Sequence, residues 1–341
     1  MVVRLADVAR DAGVSQATAS RVLNGSSRKP AEEIAERVRA AAERLGYFPN
    51  AQAQALARSS AGLVGLIVHD IADPYFSSIA VGVQRGLKGS GRQVLLSSTD
   101  RDGDLELEAL RAFMSYRTDG IVLAGSRGLQ DDEDLALALA RYRENGGKVA
   151  MIGQPLPGTS GLEVDNRGAA ALLAGALLGQ GHRRFVVLAG DTTLTTAQDR
   201  IAGFIGRLRE GGIEPERVVH GAFTRDGGHA AMTELLEGGP DLLAGGQICV
   251  FGTNDVMVLG AMTAIRERGL RVPEDIAIAG FDDIPTLMDM YPAVSTVRLP
   301  LVEMGRMAGE LLLSGTDEAW RTVIEGEPVL RESTRRVDPV R

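Results

Sequence analysis

The chain has 341 residues, of which 44% are hydrophobic and 24% charged, and its formal net charge is -8. This length exceeds that of one ordinary domain and predicts two or three domains. The proportions are typical of a globular protein, and no apolar run is long enough to span a bilayer, so a membrane partner is not expected. The N-terminus, MVVRLADVAR, lacks the apolar core and cleavage site of a secretory signal, which predicts a cytoplasmic location.

Cysteine and histidine usage predicts neither a disulfide framework nor a metal site. The one cysteine, Cys249, lies within the apolar run QICVFG and is expected in a core. The four histidines have no metal-ligand spacing, and no glycine-rich phosphate loop with its lysine is present. We therefore expect no metal and no cofactor.

The charge is unevenly distributed along the chain. Residues 1–60 hold nine Lys and Arg against six Asp and Glu, whereas the remainder holds 28 against 39. A basic N-terminal segment on an acidic body is typical of a protein whose N-terminal part alone binds nucleic acid.

Residues 5–24, LADVARDAGVSQATASRVLN, have the spacing of two short helices joined by a turn. Apolar residues recur at i, i+3, i+4 and i+7 from Leu5, as on one face of a helix. Gly13 ends this helix, and the Ser15 hydroxyl is placed to cap a second one over about residues 16–23. Two helices joined by a short turn with a glycine form a helix-turn-helix.

The second helix has one apolar face, while the opposite face carries small and hydrogen-bonding side chains: Ala17, Ser20, Arg21 and Asn24. Such a face suits entry into a DNA major groove. Gln16 can read adenine edges, and Arg21 can reach guanine or a phosphate. Periodicity alone equally fits an amphipathic hairpin with a solvated face.

The stretch LADVARDAGVSQATASRVLNG resembles the opening of the LacI/GalR family of bacterial transcription regulators over about twenty consecutive positions. The resemblance extends over nearly the whole chain. It implies that Gln16, Ala17 and Arg21 read bases. It implies phosphate contacts for four further residues: Ser15, Thr18, Ser20 and Asn24.

A third helix is predicted over about residues 31–45, because Ile34 begins a further apolar face. Three such helices make a DNA-binding headpiece over residues 1–48. The sequence departs from the family at Lys29 and Pro30, where the family usually has a valine and a serine or threonine. Lys29 is expected to add a phosphate contact.

Residues 49–60 are predicted to be a hinge helix or linker. Asn50 can cap the segment AQAQALA, which is shorter than the roughly 12 to 15 residues that an isolated helix needs in water. The resemblance implies a hinge helix that orders on the operator, with Leu56 inserted into the minor groove to kink the duplex. A plain interdomain linker is the alternative.

From Leu63 onward, apolar runs of strand length alternate with helical segments, which is typical of parallel sheets covered on both faces. Seven such runs exceed what one small sheet needs. We therefore predict that the small all-α headpiece is followed in the chain by an α/β core of two lobes, like that of the family and of periplasmic sugar-binding proteins. The predicted lobes are residues 61–161 with about 294–320, and residues 162–291 with about 321–341.

In open parallel sheets a ligand sits outside the carboxyl ends of the strands, which for two lobes means the cleft between them. Residues that follow the predicted strands, together with positions implied by the resemblance, give the expected effector contacts: Tyr75, Phe76, Thr196, Arg200, Phe223, Asn254, Asp255 and Asp282. Asn254 and Asp255 also fit simple capping of the helix that follows. Arg200 and Asp282 also fit an interlobe salt bridge.

Arg200 and Asp282 together suit adjacent sugar hydroxyls, since a guanidinium donates to two oxygens and a carboxylate accepts two O–H groups. Two departures from the family bear on the ligand. Gly153 replaces an acid that many relatives use, and Leu194 replaces a polar contact of the purine-responsive member. These changes disfavour a nucleobase and favour a sugar or a sugar-like polyol.

The sequence therefore predicts a ligand-responsive regulator, more specifically a repressor, that binds a palindromic operator in double-stranded DNA as a homodimer. A tetramer is left open. The rival is a cytoplasmic solute-binding protein without a regulatory role. An enzyme is not predicted, because no nucleophile and base pair or metal set appears in the sequence.

Overall fold

A computed structural model of the protein describes residues 3–24, 30–48, 61–128, 133–238, 242–314 and 319–335. The described residues divide into two compact units. One holds the residues up to Leu63 together with 116–119, and the other holds the rest. None of the helices in these ranges is long and apolar enough to cross a membrane.

The N-terminal unit contains the predicted helix-turn-helix. Its helices are α1 (Leu5–Asp11), α2 (Gln16–Asn24) and α3 (Glu32–Leu45). Gly13 has φ +67°, a left-handed conformation that ends α1 and starts the turn. The Ser15 hydroxyl accepts a hydrogen bond from the Thr18 N–H at 3.1 Å, which caps α2 as predicted. A small core of alanine and valine side chains, including Val8, Ala19 and Val38, joins the three helices.

The larger unit contains twelve strands and eight α-helices within the described residues. The strands are β1 (Leu63–Val68), β2 (Gln93–Ser98), β3 (Gly120–Gly125), β4 (Lys148–Gly153), β5 (Ser160–Val164), β6 (Phe185–Ala189), β7 (Arg217–His220), β8 (Ile248–Gly252), β9 (Ile276–Ala279), β10 (Thr296–Arg298), β11 (Arg321–Ile324) and β12 (Glu327–Val329). The helices are α4 (Pro74–Gly86), α5 (Gly103–Ser115), α6 (Glu133–Glu144), α7 (Asn166–Gly179), α8 (Thr195–Glu210), α9 (Arg225–Gly238), α10 (Asp255–Glu267) and α11 (Leu301–Leu313).

Two sheets form the framework of this unit. The first has six strands in the order β11-β5-β4-β3-β1-β2, and the second has four in the order β7-β6-β8-β9. Every neighbouring pair in the second sheet is parallel. In the first, the pairs from β1 through β3, β4 and β5 to β11 are parallel as well. This confirms the predicted two-lobed α/β core, and we call the two parts the first and second lobe.

Side chains of the first sheet alternate between its faces, as a strand requires. Ile67, Leu123 and Met151 pack with α5 and α6 on one face. Leu66 and Val122 pack on the other face, with α4 and α11. Because both faces are covered, the strands are apolar along most of their length, which is why the sequence showed them as continuous runs.

Two predicted lobe boundaries are wrong. The division predicted after residue 161 falls inside β5, which belongs to the first sheet. Residues 321–324, predicted in the second lobe, form β11 and pair with β5 at the edge of that same sheet. β11 alternates between exposed residues and partly or fully buried ones because it is an edge strand, so it lacks the apolar run that marks the central strands.

Candidate functional site

The headpiece exposes the positions that were predicted to read bases. Gln16, Ala17 and Arg21 are exposed along α2, whereas Thr18 and Ser20 are half-buried. Ser15 is exposed too, although its hydroxyl already caps α2. The other predicted DNA contacts, Lys29, Asn50, Leu56 and the Asn24 side chain, lie outside the described residues.

A cavity between the two sheets of the larger unit collects seven of the eight predicted effector residues. It encloses about 470 Å³ of empty space, part of it open to solvent, and we call it the first cavity. Its predicted lining residues are Tyr75, Phe76, Thr196, Arg200, Phe223, Asn254 and Asp282. Residues that are far apart in the sequence therefore share one site.

Arg200 is the most highly connected side chain of this cavity. One turn after Thr196 on α8, its guanidinium donates to Asn166 Oδ1 (2.8 Å), to the Thr253 carbonyl (2.8 Å) and to Asp282 Oδ1 (2.8 Å). The group also lies 3.8 Å from the centre of the Phe281 ring, a close cation–π contact. These contacts use three of its five N–H donors and hold the guanidinium in place at the cavity wall.

Asp282 lies in a strained turn three residues after the end of β9. Its backbone φ is +120°, a value that residues other than glycine rarely adopt, and only 5% of the residue is exposed. Burial raises the pKa of its carboxyl to about 7; the Arg200 charge and hydrogen bond oppose this rise, and the Asp73 charge adds to it. The carboxyl can therefore change its ionisation near neutral pH.

Aromatic side chains supply the apolar walls. Tyr75 and Phe76 lie in the first turn of α4, whose N-terminus is capped by Asp73, since Asp73 Oδ1 accepts from the Tyr75 N–H at 2.9 Å. The two rings meet edge to face with centroids 4.9 Å apart. Phe223 is buried on the second lobe. Aromatic faces beside forked polar groups are the usual surroundings of a sugar ring or another small polar ligand.

Asn254 and Asp255 differ in what they contact. Asn254 lines the cavity and also caps α10, because its Oδ1 accepts from the Met257 N–H at 2.8 Å. Asp255 does not line the cavity. It is fully buried, and its side-chain oxygens accept from the Ile284 N–H (2.9 Å) and the Thr296 hydroxyl (2.7 Å). Asp255 thus holds the turn that carries Asp282.

Sequence reasoning missed several lining residues: His69, Asp73, Arg101, Ser126 and Asn166. Four of them lie one to three residues after β1, β2, β3 or β5, so the strand-end rule applied to every strand would have found them. Burial and the nearby Arg101 charge lower the pKa of His69 to about 4, so its ring is neutral at physiological pH. No metal-binding group of three or more His, Cys, Asp or Glu occurs among the described residues.

Comparison with known proteins covers both parts of the chain. Residues 4–50 match the profile of bacterial regulatory proteins of the lacI family, and residues 174–334 match that of the periplasmic binding protein-like domain. The HTH-type transcriptional regulator GalR of Escherichia coli (strain K12) is 35% identical over 315 residues, which are 91% of this chain and 88% of GalR.

Two solved structures extend the likeness to the fold. The lac repressor dimer bound to operator and the anti-inducer ONPF is 26% identical, with a TM-score of 0.83, over 98% of this chain and 100% of that one. The complex of the transcriptional regulator CelR with cellobiose is 31% identical, with a TM-score of 0.69, over 97% and 99% of the two chains. The match runs through headpiece and core alike. The chain therefore belongs to the lacI family of bacterial regulatory proteins.

Proposed function

We propose that this protein is a transcription repressor that binds a palindromic operator as a homodimer and responds to a sugar bound in the first cavity. It acts in the cytoplasm, where the operator is, and it is a regulator rather than an enzyme. One observation carries the proposal: a single chain combines an exposed Gln16, Ala17 and Arg21 face with a buried polar cavity between two lobes.

The headpiece supports sequence-specific DNA binding. The exposed face of α2 carries an amide, a methyl and a guanidinium, the groups that contact adenine, thymine and guanine edges in the major groove. Half-site recognition by one such helix is weak, and two copies on a palindrome add their contacts. The lac repressor structure, a dimer on its operator, supports the same arrangement here.

The cavity supports a sugar as the effector. Arg200 and Asp282 line it with a guanidinium and a carboxyl group, and Asn254 and Thr196 add polar atoms beside the aromatic walls. The relatives named GalR and CelR, the latter in complex with cellobiose, support this ligand class.

The coupling between the two sites is reciprocal by thermodynamic necessity. If the sugar weakens operator binding tenfold, the operator weakens sugar binding tenfold, about 1.4 kcal/mol. We propose that ligand in the cavity changes the angle between the lobes and thereby changes whether residues 49–60 of two protomers can form hinge helices on the operator, with Leu56 as the wedge.

The test has two stages on the purified full-length protein. Selection from random DNA should yield a palindrome with a preferred base at defined positions. Thermal-shift screening against sugars, polyols, sugar phosphates and nucleosides should then find a stabilising ligand, since a ligand at 100 times its Kd adds about 2.7 kcal/mol. That ligand should change operator affinity.

Each rival gives a different result. A solute-binding protein without a regulatory role would bind a sugar but select no DNA sequence. An enzyme would convert the bound sugar, which chromatography of the mixture after incubation would detect. Sequence-specific DNA binding that no compound changes would contradict the ligand-responsive part of the proposal.

A further inference from the structure

A second cavity adjoins the first. It encloses about 1280 Å³ of empty space, part of it open to solvent. The first lobe contributes His69, Thr99, residues 101–103, Glu106 and residues 126–128 to its lining, and the second lobe contributes residues 191–194. His69, Arg101 and Ser126 line both cavities, so the two spaces meet at these three residues.

The junction holds two buried polar atoms without a hydrogen-bond partner among the described residues, Arg101 Nε and Ser126 Oγ. The Ser126 carbonyl, in contrast, is paired with His69 Nε2 at 2.9 Å. Buried polar groups in folded proteins are normally hydrogen-bonded, and an unsatisfied one calls for an explanation such as a missing ligand. A hydroxyl or ether oxygen that crosses from one cavity to the other would satisfy both atoms.

The charges of the second cavity disfavour an ionic ligand. Arg127 and Glu106 form a buried ion pair at 2.5 Å and cancel each other. The remaining charged lining residues are Arg101, Asp102 and Asp191, which leave no excess of positive charge for a phosphate. In the first cavity Arg200 is likewise paired with Asp282. An uncharged ligand with many hydroxyls fits both spaces.

We infer that the effector is an uncharged glycoside of at least two sugar rings. One ring occupies the first cavity between Tyr75, Phe76 and Phe223, and the next occupies the second cavity. The oxygens around the linkage accept from Arg101 and exchange a hydrogen bond with Ser126. This inference rests on the proposed function, because it presumes that the cleft binds a sugar.

Thr192 allows a test that separates the two cavities. It is exposed, lines the second cavity only, and contributes its backbone carbonyl rather than its side chain to a hydrogen bond with Gln198. Thr192→Trp should fill the second cavity and leave the first unchanged. Thr192→Ser keeps the space open and serves as the matched control.

The measurement is calorimetric titration of full-length protein with α- and β-linked disaccharides of glucose and galactose, with the two monosaccharides, and with glucose 6-phosphate. We expect at least one disaccharide to bind about tenfold or more tightly than either monosaccharide, because the second ring adds polar contacts. Thr192→Trp should remove that gain and change monosaccharide affinity by less than about twofold, while Thr192→Ser keeps it.

Equal affinity for one and two rings would overturn the inference, as would a Thr192→Trp variant that binds disaccharides normally. Tightest binding of the sugar phosphate would overturn the uncharged class. If no sugar of either size binds, the sugar part of the proposed function fails together with this inference. If monosaccharides bind and release operator DNA while disaccharides do not, only this inference fails.

Discussion

Asp282 combines burial with an arginine partner, and the two have opposite effects on its ionisation. Removing the carboxyl from water favours the neutral acid, while Arg200 at 2.8 Å favours the carboxylate. Burial has the larger effect, so the pKa is raised to about 7. A carboxylate can accept hydrogen bonds from two hydroxyls, and a protonated carboxyl loses part of that capacity. The ionisation state of Asp282 therefore sets how many hydrogen bonds it can accept from a sugar.

Effector binding should therefore depend on pH. We expect affinity to rise by roughly five- to tenfold between pH 6 and pH 8, because ionised Asp282 is the better acceptor and a pKa near 7 leaves it mostly protonated at pH 6. His69, with a pKa of about 4, stays neutral throughout this range. Calorimetric titration at pH 6, 7 and 8 measures the effect.

The control is Asp282→Asn, which should bind the effector more weakly and lose the pH dependence of binding.

The same raised pKa also predicts that the contribution of Asp282 to folding stability falls as pH rises from about 4 to about 7, because the folded state holds the proton more tightly than the unfolded chain. If effector affinity and folding stability depended on pH identically in wild type and Asp282→Asn, this account of Asp282 would be contradicted.

Arg21 gives a second prediction at the level of one side chain. Arg21→Ala should relax the base preference at one operator position, at a cost of about 1–3 kcal/mol for the preferred base. Arg39→Ala, which removes the same charge from an exposed position on α3, should weaken binding to all sequences equally. Selection from random DNA with each variant tests both, and uniform weakening by Arg21→Ala would refute its reading role.

Helices α4 and α11 approach each other closely because glycines line their contact. A Cβ added at Gly305 would lie 2.1 Å from the Ile79 carbonyl oxygen, and one at Gly82 would lie 2.1 Å from the Val302 carbonyl oxygen. Both obstacles are backbone atoms, which cannot move aside as a flexible side chain can. The close packing of two helices on the first sheet therefore depends on the absence of two methyl groups.

Gly305→Ala should lower the free energy of unfolding by about 1–3 kcal/mol, since the helices must separate to admit the methyl group. Gly206→Ala is the matched control in α8: nothing lies within 4 Å of the added Cβ. It should raise stability by about 0.5–1 kcal/mol, because alanine loses less conformational freedom on folding. Urea unfolding of both variants compares them, and equal effects would contradict the packing argument.

Some elements could be predicted from the sequence and others could not, for physical reasons. Buried parallel strands such as β3 and β8 are continuous apolar runs, so periodicity identified them. The edge strand β11 presents one side to solvent and carries no such run. The cavity residue Arg200 was found by resemblance, whereas Asp255 was placed with the ligand contacts because sequence does not show which neighbour a carboxylate faces.

At the scale of the whole core, the two lobes are joined by direct contacts beside the cavities. Gln154 on the first lobe accepts from the Arg127 N–H at 2.9 Å and donates to the Thr196 hydroxyl on the second lobe at 2.9 Å. The Thr195 N–H donates to the Arg127 carbonyl at 3.0 Å. A ligand that contacts both lobes stabilises this joined arrangement over one in which the lobes are apart. Its binding free energy is reduced by whatever free energy is needed to bring the lobes together.

Gln154→Ala should therefore weaken effector binding, although it leaves the Arg200 and Asp282 side chains in place. Losing the one Gln154 hydrogen bond that joins the lobes costs about 0.5–1.5 kcal/mol. We therefore expect roughly a two- to tenfold higher Kd and a matching increase in the effector concentration that changes operator binding. Gln198→Ala is the matched control, because among the described residues its side chain donates to the Thr192 carbonyl within the second lobe and makes no bond to the first. Calorimetry gives the Kd, and small-angle X-ray scattering of ligand-free protein should show a larger radius of gyration for Gln154→Ala alone. Equal weakening by both variants would mean that the interlobe contact does not couple ligand binding to lobe arrangement.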